Sequence, residues 1–103
     1  MVTKNVIRKH LKDVIDPELG VNIVDLGLVY DIKVNKNGSV KLLMTLTSPG
    51  CPLAGMFESL IKDSLKGIEG FDPDKSLNIT LTFDPPWLPD MMTEETRAEL
   101  GFD

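Results

Sequence analysis

The sequence predicts a two-layer α+β domain: a small three-stranded mixed sheet with helices packed on one face, in the order α-β-β-α-β-α. Three observations carry that expectation. Two stretches repeat apolar residues at helical spacing. Three others alternate apolar and polar residues, as strands do. Each alternating stretch has one apolar face, which calls for helices on that face only. The 103 residues are expected to form one domain spanning 1–103.

Val6, Ile7, Leu11, Val14 and Ile15 make the first helical stripe. Asp16-Pro17 is expected to end it, because the residue before a proline avoids the α region. Leu28, Tyr30, Ile32 and Val34 then alternate with Val29, Asp31 and Lys33 in a strand. Asn35-Lys36-Asn37-Gly38 supplies turn chemistry, and Val40, Leu42, Met44 and Leu46 form a second strand, so the pair reads as an antiparallel hairpin.

Pro52 opens the second helix, whose stripe is Leu53, Met56, Phe57, Leu60, Ile61 and Leu65; Gly67 and Gly70 mark its exit. Leu77, Ile79, Leu81 and Phe83 share one face of a third strand, reached by a right-handed crossover. The stretch Asp84-Pro85-Pro86-Trp87-Leu88-Pro89-Asp90 is irregular. Thr93 then caps a terminal helix with Glu94 and Glu95 in its first turn and Gly101 as its stop. Tyr30 and Phe83 are expected in the core.

Bulk properties remove several function classes. A net charge of −5 and a pI near 4.7 oppose binding that depends on neutralising phosphates, so no nucleic-acid partner is expected. No apolar run approaches the ~20 residues that span a bilayer, and the first residues interleave charge with apolar positions rather than forming a signal core. No membrane partner is expected. The single cysteine builds no internal disulfide, which fits a reducing compartment; the expected location is the cytoplasm.

Cys51 lies in Thr47-Ser48-Pro49-Gly50-Cys51-Pro52, between the end of a strand and the start of the amphipathic helix. Unsatisfied N–H groups and the helix dipole favour thiolate at such a place, and thiolate is the form that attacks electrophiles and binds metals. Thr47 and Ser48 could donate hydrogen bonds to the sulfur or to what it holds. An inert cysteine packed as a small hydrophobe is the competing reading of the same position.

Asp16 and Glu18 flank Pro17 on a stiff turn that ends at Gly20, with Asn22 and Asp25 beyond. The two acids could orient a polar network or ligate a metal; a helix-ending turn with solvated acids is the plainer alternative. Trp87, set among prolines and outside any stripe, reads either as a partner-binding anchor or as a lid on the core. Met91 and Met92 beside it suggest a soft contact surface. His10, the only histidine, reads as structural, and Asn78-Ile79-Thr80 matches the glycosylation triplet inside a strand, where it carries no function.

Four blocks, in this order, point to a family: Asp16-Pro17-Glu18-Leu19-Gly20, Val24-Asp25-Leu26-Gly27-Leu28-Val29-Tyr30, Thr45-Leu46-Thr47-Ser48-Pro49-Gly50-Cys51-Pro52-Leu53, and Thr82-Phe83-Asp84-Pro85-Pro86-Trp87. With the ending Thr93 to Gly101 they resemble, over essentially the whole chain, the family that contains SufT, PaaD and the eukaryotic MIP-type proteins. The resemblance implies an α/β fold and an iron–sulfur assembly or targeting role rather than an enzymatic one. Its partners would be the iron–sulfur assembly machinery and client apo-proteins. It also implies a site in which Cys51 is the thiolate and metal ligand, Asp16 and Glu18 its polar partners, and Thr47 and Ser48 supporting donors.

Iron–sulfur clusters usually take four protein ligands, mostly thiolates. One cysteine therefore implies a transient or shared cluster or iron, with none held stably by the monomer. A homodimer offers two thiolates across a two-fold axis; a pure adaptor holds no cluster. Two alternatives stand beside this reading. One is a PaaD-like accessory subunit of a multicomponent aromatic-ring oxygenase, against which the missing cysteine-rich C-terminal tail counts. The other is a thiol-dependent enzyme using Cys51 with Asp16 or Glu18 as base.

Overall fold

Thr3 opens the first helix, α1 (Lys4–Leu11), by accepting the Val6 N–H on its hydroxyl at 3.2 Å. The computed structural model describes residues 2–17, 19–47 and 54–101. After α1 come β1 (Val29–Val34), β2 (Val40–Met44), α2 (Ala54–Leu65), a one-turn α3 (Pro73–Ser76), β3 (Leu77–Leu81), a 3₁₀ turn over Pro89–Met91, and α4 (Glu94–Leu100). The sheet order is β1-β2-β3, with β1 and β2 antiparallel and β2 and β3 parallel. The expected mixed three-stranded sheet is therefore present.

The register shows why one face is apolar. Val40, Leu42 and Met44 stand beside Leu77, Ile79 and Leu81 across the parallel pair, and Ile32 sits opposite Leu42. Ile32, Val40, Leu42 and Met44 are buried with Ile7 and Leu11 of α1 and Ile61 and Leu65 of α2. Asp31, Lys33, Lys41, Asn78 and Thr80 are exposed. Both helices cover the same side of the sheet.

Several boundaries differ from expectation. The first helix stops at Leu11 rather than at Asp16. Lys12, Asp13 and Val14 donate to the carbonyls three residues back, at 3.0–3.3 Å, which tightens the last turn. Beyond it the chain pairs with a returning segment: Ile23 N–H donates to Val14 O (3.0 Å), Asp16 N–H to Val21 O (2.9 Å), and Ile15 bridges Asn22. Those bonds replace the helical ones, so Val14 stays buried while Ile15 turns outward, 46% exposed.

The α2 stripe is narrower than predicted, and its Leu53 and the proline start lie outside the described residues. Phe57, Ile61 and Leu65 are buried, whereas Met56 and Leu60 are 38% and 37% exposed. Three positions four residues apart suffice where one neighbouring layer covers the helix. Leu28 and Leu46 lie just outside the strands as assigned, yet both are buried.

β3 ends at Leu81. Thr82 N–H still donates to Met44 O (2.9 Å), but Asp84 N–H then turns onto the Thr82 hydroxyl (3.2 Å). Phe83 leaves the sheet 40% exposed and is not core. Tyr30 is half-buried. The unpredicted α3 has its own start signal: Asp72 accepts the Asp74 N–H, and Pro73 fills the first turn. α4 is capped as expected, Thr93 Oγ1 accepting from Thr96 N–H at 3.2 Å, with Gly101 at φ +82°.

Candidate functional site

The predicted site residues that the structure describes stand on two segments, Asp16 on the loop after α1 and Thr47 at the exit of β2. Pro17 and Gly20 shape that loop: Gly20 takes φ +69°, and its N–H donates to Asp16 O at 2.8 Å, closing a tight turn. The turn folds Asp16 inward to 2% exposure. A carboxylate so placed needs hydrogen bonds to offset lost hydration. The Leu19 N–H donates to its Oδ1 at 3.2 Å, and its own N–H is held by Val21 O. Asp16 is thus not the solvated acid of the plainer alternative.

A chain of backbone hydrogen bonds ties this loop to β2. Ile23 N–H donates to Val14 O (3.0 Å), Leu28 N–H to Ile23 O (3.0 Å), and Thr45 N–H to Leu28 O (2.8 Å). The path links the segment beside Asp16, through Ile23 and Leu28, to Thr45 just after β2. Thr45 is fully buried and Thr47 half-buried. Three of the predicted site residues, Cys51, Glu18 and Ser48, lie outside the described residues. Among the described residues no three His, Cys, Asp or Glu side chains converge on a metal site.

Asn22 and Asp25, singled out with the acids, are committed to each other. Asn22 Nδ2 donates to Asp25 Oδ2 and Asp25 N–H donates to Asn22 Oδ1, both at 2.9 Å; Asp25 O then accepts the Thr93 N–H at 2.9 Å. This closed pair fastens the cap of α4 to the loop.

Trp87 is half-buried against the core, and its indole Nε1–H donates to Leu26 O at 2.7 Å. Tyr30 hydroxyl donates to Pro85 O at 2.8 Å and lies 3.5 Å from Met91 Sδ. Residues 84–91 thus form a strap pinned across the start of β1. Met92 is buried rather than part of a contact surface. Sequence reasoning missed that Gly27 lies under this strap: a Cβ there would stand 2.2 Å from Met91 O, at φ +80°. Its place in the Leu26-Gly27-Leu28 block was the available signal.

His10 is structural, as expected. Its Nδ1–H donates to Ser64 O at 3.0 Å, and the Ser64 hydroxyl donates back to His10 O, which ties α1 to α2. No helix among the described residues is long and apolar enough to cross a membrane.

Residues 4–75 match the family model described as iron–sulfur cluster assembly protein. The chain is 44% identical to an Fe-S protein maturation auxiliary factor from Porphyromonas gingivalis, covering 97% of this chain and 92% of that one. It is 40% identical to the Fe-S protein maturation auxiliary factor YitW from Bacillus subtilis, covering 95% and 93%. Among solved structures, a domain of unknown function from Bacillus anthracis superposes with a TM-score of 0.87 at 37% identity, covering 97% of this chain and 92% of that one.

Proposed function

The chain belongs to the iron–sulfur cluster assembly protein family, and on that premise we propose that it acts as an assembly or targeting factor in the maturation of client iron–sulfur proteins. The observation that carries this reading is identity of 40–44% with maturation auxiliary factors over nearly the full length of both partners. Its working partners are then the assembly machinery that supplies the cluster and the apo-proteins that receive it. The cytoplasm is where both would be met.

In this proposal the cluster, or iron, is cargo. Cys51 supplies one thiolate to it for part of the transfer. A cluster usually takes four protein ligands, so the client, a carrier or a second copy of this chain supplies the others. Asp16 and Glu18 are assigned as polar partners of that thiolate, and Thr47 and Ser48 as donors beside it. The burial of Asp16 and the bonded path from its loop to Thr45 support the assignment. A single ligand suits a donor that must release its cargo.

The test replaces Cys51 by Ser in a host lacking its own copy of the gene, with activity of iron–sulfur enzymes as the readout. We expect activity to stay at the level of the empty host. Full rescue by Cys51→Ser would remove the thiol from the mechanism. Anaerobic reconstitution with iron and sulfide, followed by absorbance and by mass in solution, separates the remaining cases. Chromophore at twice the chain mass gives the shared-cluster dimer, and no chromophore gives the adaptor.

A further inference from the structure

The two edges of the sheet are treated differently. β1 carries the devices that keep an edge from pairing: a bulge between Val29 and Asp31, the charges of Asp31 and Lys33, and the strap that meets Tyr30 through Pro85. β3 carries none of them. Leu77–Leu81 has no charge, proline or glycine, pairs with β2 in five unbroken steps, and is the last strand of the sheet among the described residues. Its core-side residues are incompletely covered, Leu81 being 40% exposed.

Beside this edge runs an open groove of about 500 Å³ between α2 and β3, with Leu77 and Ile79 in its wall. Lys41, Lys62 and Lys75 line it against one acid, Glu58. Lys62 and Glu58 pair at 3.3 Å, while Lys41 and Lys75 make no ion pair among the described residues. An excess of cations at a bare strand edge stands out on a chain whose net charge is −5.

We propose that β3 is a docking edge for an extended, acidic segment of a partner protein, which adds a fourth strand to the sheet. Main-chain hydrogen bonds to β3 would supply register, and carboxylates at alternate positions would meet Lys62 and Lys75. A second copy pairing edge to edge is the less suitable occupant, because it brings its own Lys41, Lys62 and Lys75 against the same cations instead of carboxylates. The inference concerns a surface formed by α2 and β3 and does not depend on the Cys51 thiol.

The test uses the full chain, labelled with ¹⁵N, and two blocked nine-residue peptides, one alternating valine with glutamate and the other valine with lysine. The glutamate peptide is expected to shift the amides of Leu77–Leu81 and of Lys62 and to bind at least about tenfold tighter than the lysine peptide. That binding should weaken several-fold from about 50 to 500 mM NaCl. The double variant Lys62→Gln, Lys75→Gln, whose folding is checked by circular dichroism, should reduce it by about tenfold. Equal binding of the two peptides, shifts confined to other elements, or no shift would overturn the proposal. So would a chain that alone runs at twice its mass with β3 amides protected from exchange, since a second copy would then own the edge.

Discussion

Asp16 and Gly27 are the residues whose roles depend most on their exact surroundings. Asp16 is nearly fully buried and receives the Leu19 N–H. Asparagine keeps that acceptor but removes the charge, and alanine removes both. Asp16→Ala should therefore cost about 1–3 kcal/mol by leaving the Leu19 donor unmet, and Asp16→Asn less, as read by urea unfolding. Rescue of iron–sulfur enzyme activity then separates roles: a folded Asp16→Asn chain that fails to rescue places the charge in the function. Gly27 meets the strap backbone with no room for a Cβ and takes a left-handed conformation. Gly27→Ala should cost more than about 2 kcal/mol by the same measurement. Unchanged stability would mean that the strap moves freely away from the loop.

At the scale of elements, the α2 helix offers an internal control. Ile61 and Leu60 are adjacent in the predicted stripe, but Ile61 is fully buried and Leu60 is not. Ile61→Ala should cost about 2–5 kcal/mol and Leu60→Ala well under half as much. The strap gives a second comparison. Trp87→Phe keeps an aromatic ring but loses the Nε1–H bond to Leu26 O, an expected cost of about 1 kcal/mol in thermal or urea unfolding. Helix and strand types were legible because each element repeats at its own period. The stop of α1 was not, because Val14 and Ile15 satisfy the helical pattern equally well; pairing with Val21–Ile23 decided it.

At the scale of the molecule, α1, α2, the returning loop and one face of the sheet share a single apolar cluster. We propose that the chain unfolds as one domain. Leu26→Ala in the loop and Leu65→Ala in α2 should then lower one common transition, seen alike by near- and far-ultraviolet circular dichroism. Two separate transitions would assign the loop and the helices to different units.

By itself the sequence determined the element types, the antiparallel hairpin turned at Asn35–Gly38, the caps of the terminal helix and the family resemblance. These rest on interactions among near neighbours or on ordered local blocks. The tertiary structure decided that Asp16 is buried, that Asn22 and Asp25 serve each other, that Trp87 pins a strap and that Phe83, Met56 and Leu60 lie outside the core. A residue's periodicity records which face it occupies. Whether that face meets another layer, a returning loop or water depends on segments far away in the chain, and only packing settles it.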